Sequence, residues 1–163
     1  MMSTNIYSSW QSLQKQKFVE IKRHLGSTVD EIFRGKLVLD IGCGFGYFEK
    51  SFNGKFVGLD NDLMMLRGNV AIFPRILGNG EKLPFGDETF DTIISVDTMH
   101  LIKNEDFIRV LKTGGLVMIS VFFNDENYSD KRSALLKKVE KMKVIKEFDI
   151  LGKEKEFVVI AVK

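Results

Sequence analysis

The stretch Val38–Phe48, VLDIGCGFGYF, runs an apolar segment into an aspartate and then places glycines at 42, 44 and 46. Its approach, KLVLDIG, is continuously apolar instead of alternating, which is the pattern of a strand buried on both faces of a parallel sheet. Glycines directly after such a strand bring backbone N–H groups, unobstructed by side chains, to the carboxyl edge of the sheet. The following YFEKSF reads as a short helix ending at the turn Asn53-Gly54. Strand, glycine loop and helix together make a ligand-binding corner.

Working outward, the same unit recurs. KFVGLD is a second strand, DLMMLRG a helix stopped by Gly68, and Ile72 to Leu77 a third strand interrupted by Pro74. FDTIISV is a fourth strand, NEDFIRVLKTGG a helix capped by Asn104 and stopped at Gly114-Gly115, and LVMISVFF a fifth strand. Upstream, Trp10, Leu13, Phe18, Ile21 and Leu25 recur at helical spacing from Ser9, and Gly26 closes that opening helix; a short segment around Val29 to Phe33 follows. At the other end DKRSALLKKVEKM carries Leu135, Leu136, Val139 and Met142 on one helical face. KVIKEFDIL and EFVVIAVK are then two strands whose short link at Gly152-Lys153 permits only antiparallel pairing.

The expected fold is α/β: a Rossmann-like, doubly wound, mainly parallel sheet of seven strands with a C-terminal antiparallel hairpin. With 163 residues and no repeat, linker or low-complexity segment, the expectation is one domain, an N-terminal helical segment (1–35) on a core (36–163). The composition, 44% hydrophobic and 28% charged with a net charge of +2, is that of a soluble globule and by itself does not point to nucleic acid. One cysteine, Cys43, and two distant histidines, His24 and His100, exclude an internal disulfide and a Cys-rich zinc site, so no metal is expected. The start lacks the layout of a signal peptide and no apolar run is long enough for a membrane span, which reads as a cytoplasmic protein without membrane contact.

The spacing of the loop selects its ligand. A dinucleotide fingerprint, G-x-G-x-x-G, needs glycine at 47, and this chain has Tyr47. The second strand ends in Asp60, twenty positions after Asp40, where a carboxylate can accept from both hydroxyls of a ribose. These residues point to a nucleoside.

At this point the chain resembles the class I S-adenosylmethionine-dependent methyltransferases. VLDIGCGFG matches their first motif, D-x-G-x-G-x-G, and VGLD their acidic ribose site; GNGEKLPFGDETFDTIISVDTMHLI and LKTGG match later stretches of the small-molecule-type branch. The resemblance covers about residues 36–123, and the closing hairpin fits that family's reversed last strand. It implies S-adenosylmethionine as cofactor, with Asp40 and the loop Gly42, Cys43, Gly44 and Gly46 at the methionine end. It further implies Asp60 at the ribose, Asn61 and Leu63 beside the adenine, Asn79 where many relatives have aspartate, and Gly80 and Glu81 next to it. Ser95, Val96 and Asp97, ending the fourth strand, would face the sulfonium.

Asp97 reads equally as base, substrate contact or solvated carboxylate, and His100 as a base or as a capping and packing residue. Methyl transfer from a sulfonium to a good nucleophile also runs on alignment alone, without a catalytic residue. Cys43, inside the loop with no histidine placed to activate it, reads as packing and not as a nucleophile. The basic residues near the last helix (Lys131, Arg132, Lys137, Lys138, Lys141, Lys143, Lys146) read as a solvated face. Of the aromatics, Tyr7, Trp10, Tyr47 and Tyr128 read as core or cofactor lid, and Phe122 and Phe123 lie nearest a substrate. The reading is methyl transfer to a small-molecule acceptor, with a non-catalytic cofactor-binding subunit, or a partner-dependent enzyme acting on protein or RNA, as the alternative.

Overall fold

The computed structural model describes the backbone of residues 4–163 and the side chains from Gln11 onward; the side chains of Tyr7 and Trp10 lie outside the described residues. In chain order the elements are α1 (Thr4–Leu25), α2 (Thr28–Phe33), β1 (Leu37–Ile41), α3 (Tyr47–Ser51), β2 (Lys55–Asp60), α4 (Leu63–Arg67), β3 (Arg75–Leu77) and β4 (Phe90–Val96). A 3-10 turn (Met99–Leu101), α5 (Asp106–Val110), β5 (Leu111–Phe123), α6 (Tyr128–Lys138), β6 (Lys143–Leu151) and β7 (Lys155–Val162) complete it. The strands form one seven-stranded sheet in the order β3-β2-β1-β4-β5-β7-β6. The first five run parallel, and β7 is antiparallel to both β5 and β6.

The pleat sorts the core into two layers. Val38 on β1, Ile94 on β4, Met118 on β5 and Val158 and Ile160 on β7 face α1, α2 and α3, meeting Phe18, Ile21, Phe33, Phe48 and Phe52. Leu39, Ile41, Ile93, Val117, Ile119 and Val159 face the opposite way, onto Met99, Phe107, Leu135 and Val139. Period-two alternation then fixes where three buried polar residues point: Asp40, Ser120 and Glu156 continue the columns of Val38, Met118 and Val158, so all three lie on the α1–α3 side.

Two sequence expectations are corrected. The helix expected over 104–115 ends at Val110, because Leu111 is fully buried and pairs with Phe90; the register then jumps to Thr92 opposite Leu116, leaving 112–115 as a bulge. Asn104 is not its cap, since Glu105 holds that position without a side-chain bond, and the Asn104 amide donates instead to the Glu81 carbonyl (3.2 Å). The third strand is only three residues long; Pro74 has no N–H for the ladder, although its carbonyl accepts from Gly58 N (2.9 Å).

Candidate functional site

The strand order reverses between β1 and β4: β1 leads outward to β2 and β3, and β4 to β5 and β7. Such a switch point leaves a crevice at the carboxyl ends of the strands, and the glycine loop lies there. Gly42, Gly44 and Gly46 all have positive φ (85°, 51° and 75°), a conformation that side chains resist. Gly42 is doubly constrained, since a Cβ there would stand 2.2 Å from Thr98 Oγ1. Backbone bonds from Gly42 N and Cys43 N to Leu59 O (2.7 and 3.2 Å) tie the loop to the end of β2.

Asp60 organises this corner. Its Oδ2 accepts from Gly44 N (2.8 Å) and its Oδ1 from Asp62 N (2.9 Å), while Asp62 caps α4 by accepting from Met64 N (2.8 Å). Each Asp60 oxygen keeps a second lone pair for a ligand donor.

Two adjoining cavities share Gly42, Asp60, Asn61 and Thr98. One, of about 340 Å³, is walled by Asp40, the loop 42–45, Tyr47, Met65, Val96 and Asp97, with Gln14 and Phe18 of α1 above it. The other, of about 290 Å³, is walled by Ile41, Leu59, Gly78, Asn79, Gly80, Glu81, Leu101 and Ile102. The first is the acidic half, with Asp40, Asp62 and Asp97 on its walls; the second, joined to it at Asp60, mixes Ile41, Leu59, Leu101 and Ile102 with Asn79 and Glu81. Wider grooves exist, of about 580 Å³ against the β6–β7 turn and about 630 Å³ beside β2, but neither touches Asp60 or the loop 42–46.

The electrostatics of the acidic half are unusual. Asp40 and Glu49 are 3% and 7% exposed, and among the described residues neither Asp40 Oδ1 nor either Glu49 oxygen has a hydrogen-bond donor. Burial, and then the charge of Glu49, hold the Asp40 carboxyl well above the usual carboxylate range, and burial pushes Glu49 up to about 7. A proton kept by the pair supplies the missing donor. A cationic ligand group at Asp40 fits the same deficit, so these residues suit the ammonium end of an amino acid.

Most of the residues expected from the sequence are brought together here: Asp40, Gly42, Cys43, Gly44, Asp60, Asn61 and Val96 line one or both cavities, as do Asn79, Gly80 and Glu81. Asn79 Oδ1 accepts from Glu81 N (2.9 Å), and the Glu81 carboxylate accepts from Lys103 N and Asn104 N (both 2.8 Å), bonds that hold it below its ordinary range. Gly46 turns the chain into α3 behind the cavity. Ser95 is fully buried and donates to Ile41 O (2.7 Å), stitching β4 to β1 instead of lining the crevice. Leu63 is 43% exposed and lines neither cavity, whereas Met65 of the same helix lines the acidic one. His100 lines neither cavity; its buried Nδ1 has no partner among the described residues, and burial followed by the charge of Lys131 lowers its affinity for a proton. Burial raises the Cys43 thiol far above its usual range, with Asp40 and Glu49 adding to it, which makes it a poor nucleophile.

Asp97 holds a role outside those expected of it. At φ 58° its Oδ2 accepts from Lys17 Nζ (2.7 Å) and its Oδ1 from Phe122 N (2.6 Å). Lys17, 4% exposed, also reaches Glu156 (3.2 Å), which is fully buried and accepts from Ser120 Oγ. Lys17 and Glu49 were both missed in the sequence. Lys17 had a readable signal, because Leu13, Lys17, Ile21 and Leu25 recur every four residues and the lysine sits on the apolar stripe. Glu49 had a weaker one, next to Phe48 and three before Phe52 on the inward face of α3.

Comparison with known proteins agrees with this geometry. The sequence profile of a family described as "Methyltransferase domain" matches residues 39–119, the run from β1 through most of β5. Among curated relatives, a fatty-acid O-methyltransferase of Mycolicibacterium smegmatis is 33% identical over 50% of this chain and 35% of its own length. The mitochondrial arginine-hydroxylase NDUFAF5 of Rattus norvegicus is 30% identical over 82% of this chain and 44% of its own. The chain thus spans less than half the length of these two relatives. Among solved structures, an S-adenosylmethionine-dependent methyltransferase of Methanosarcina mazei superposes with a TM-score of 0.69 at 16% identity, covering 84% of this chain and 97% of the other. Strand order, glycine loop, acidic strand end and matching profile lead to one assignment: the chain belongs to the class I S-adenosylmethionine-dependent methyltransferase family.

Proposed function

We propose that this domain binds S-adenosylmethionine across the two joined cavities and transfers its methyl group to a small-molecule acceptor. The observation that carries the reading is the crevice itself, in which a buried, donor-less carboxyl at Asp40, the backbone amides of the glycine loop and Asp60 meet at the switch point of the sheet. The cofactor supplies an electrophilic methyl on a sulfonium. The chain's part is to bind and orient: Asp40 toward the ammonium, Asp60 toward the ribose hydroxyls, and Asn79, Gly80 and Ile102 against the adenine. Val96, Asp97 and Thr98 form the edge of the acidic cavity that an acceptor would approach, beneath Gln14 and Phe18 of α1. His100 stands outside both cavities, which supports catalysis by alignment over general-base chemistry.

The name of the fatty-acid O-methyltransferase relative supports a small oxygen acceptor. A second reading, a cofactor-binding module that does not itself transfer methyl groups or needs a partner acting on protein or RNA, is favoured by the relative named as an arginine-hydroxylase. The test is to incubate the protein with S-adenosylmethionine labelled in the methyl group and a panel of hydroxylated, carboxylated and amine acceptors. Label in a product together with S-adenosylhomocysteine supports the first reading. Tight cofactor binding without transfer to any acceptor supports the second.

A further inference from the structure

We infer that Glu49 and Asp40 form a proton-holding pair that senses the amino-acid end of the cofactor, with Glu49 as a positioning residue acting through Asp40. The inference rests on the cofactor reading above and adds to it a residue that touches no ligand and a proton that leaves when the ligand arrives.

The geometry is that of two acids sealed together. Asp40 ends the Val38 column of β1 and lines the acidic cavity, whereas Glu49 stands behind it on α3 and borders only the outer groove beside β2. Both side chains are more than nine-tenths buried, and three of their four oxygens lack any donor. Two ionised carboxylates in that setting are not sustainable, since each raises the other's affinity for a proton and neither is hydrated. One shared proton makes the pair self-sufficient: the protonated acid donates and the other accepts.

Among the described residues the surroundings offer no other source of positive charge. Asp60 of β2 and the Cys43 thiol of the loop face the pair and, if charged, are negative. Tyr47 of α3 and Asp97 beyond β4 line the same cavity, and Lys17 of α1 is committed to Asp97, Glu154 and Glu156. Lys50 and Lys55 border the outer groove, yet neither pairs with Glu49 among the described residues. An ammonium entering the cavity at Asp40 therefore supplies the missing charge to the pair and a donor to Asp40. The O–H bond of the shared acid breaks, its proton passes to solvent, and two carboxylates remain to face one cation, Asp40 in contact and Glu49 behind it.

Binding must then be linked to pH. Below the titration of the pair, affinity for an ammonium-bearing ligand rises tenfold per pH unit; above it, affinity is flat. Because burial holds both acids above the usual carboxylate range, the dissociation constant for S-adenosylhomocysteine falls as pH rises toward the titration of the pair.

The test is isothermal titration calorimetry of the whole chain across that pH range, in two buffers of different ionisation heat, with S-adenosylhomocysteine and with 5′-methylthioadenosine. The second ligand keeps the nucleoside and the thioether but has no amino-acid end. The expected result for the first ligand is an affinity that rises by close to tenfold per pH unit at the acid end, with release of close to one proton there, and neither effect for the second. In Glu49→Gln the charge and the second acid are gone while Asp40 stays buried, so the pH-dependent window moves to lower pH. The inference is overturned by a flat profile in the unaltered protein, by the same slope with 5′-methylthioadenosine, or by a profile that is unshifted in a folded Glu49→Gln. Should that variant not fold, the two-ligand comparison on the unaltered chain decides alone. Absence of any binding by either ligand would instead refute the cofactor reading beneath it.

Discussion

Replacing Lys17 by methionine puts the packing of α1 over the crevice under direct test. Lys17 is buried at 4% exposure and its Nζ lies 2.7 Å from Asp97, 3.2 Å from Glu156 and 3.7 Å from Glu154. Burial alone would lower its pKa, but the charges of Glu156, Asp97 and Glu154 outweigh that and the net shift is upward, so Lys17 stays charged across the neutral range. Glu156 shows the opposite balance: burial dominates, and its carboxyl is raised to about 7 despite the lysine. Methionine conserves the apolar stem and removes the charge, leaving Glu156 buried with only Ser120 as donor. Breaking a buried pair in this way costs about 3–5 kcal/mol, or about 6–20 °C in melting temperature for a domain near this size. The pH dependence gives the sign. A carboxyl whose native pKa is raised loses stability as pH climbs from its unfolded value to its native one, and without Lys17 the native value of Glu156 rises further. The gap between variant and parent should therefore widen from pH 6 to pH 8 in thermal unfolding, and the double variant Lys17→Met, Glu156→Gln should recover most of the loss. A loss that is the same at both pH values, or that the second substitution does not relieve, would refute the reasoning.

Three further outcomes follow from the site. Gly42→Ala forces a side chain into φ 85° and onto Thr98, so it should destabilise by about 1–3 kcal/mol and abolish nucleoside binding in calorimetry; Thr98→Gly in the same chain should restore little, since the backbone strain remains. Cys43, buried and with its thiol raised, should react with iodoacetamide only upon unfolding, and a rate in the native protein equal to that in denaturant would contradict its assignment as packing. His100→Gln should change methyl transfer by less than about tenfold, because a general base contributes about 10²-fold or more; a larger loss with unchanged cofactor affinity would restore His100 as the base.

The parts of the fold that could be read from the sequence are those specified locally. KFVGLD coincides with β2 and FDTIISV with β4, since each centres on apolar residues, Phe56, Val57 and Leu59 in one and Ile93, Ile94 and Val96 in the other, and both are bounded by polar turns. The glycine loop and Asp60 were equally open to reading because both serve one short backbone geometry. The rest depends on partners distant in the chain. Helix α5 stops at Val110 because Phe90 captures Leu111, a pairing 21 residues apart that helical spacing does not reveal. Asn104 reads as a cap until the Glu81 carboxylate takes its N–H and that of Lys103. Lys17 reads as a charged face until acids 80 and 139 residues away close around it. Asp97 and Ser95 were placed by strand position alone, yet one residue's rotation of the pleat decides that Ser95 binds β1 while its neighbour Val96 lines the crevice.

The central claim is that the crevice takes a sulfonium nucleoside, and thermal unfolding with and without S-adenosylmethionine, S-adenosylhomocysteine and NAD tests it most directly. At about 100 times the dissociation constant a ligand stabilises by about 2.7 kcal/mol, a rise of about 5–11 °C at this size. The account predicts that rise with both sulfur nucleosides, its loss in Asp60→Asn, and no response to NAD. No shift with either sulfur nucleoside, or a shift with NAD alone, would contradict it.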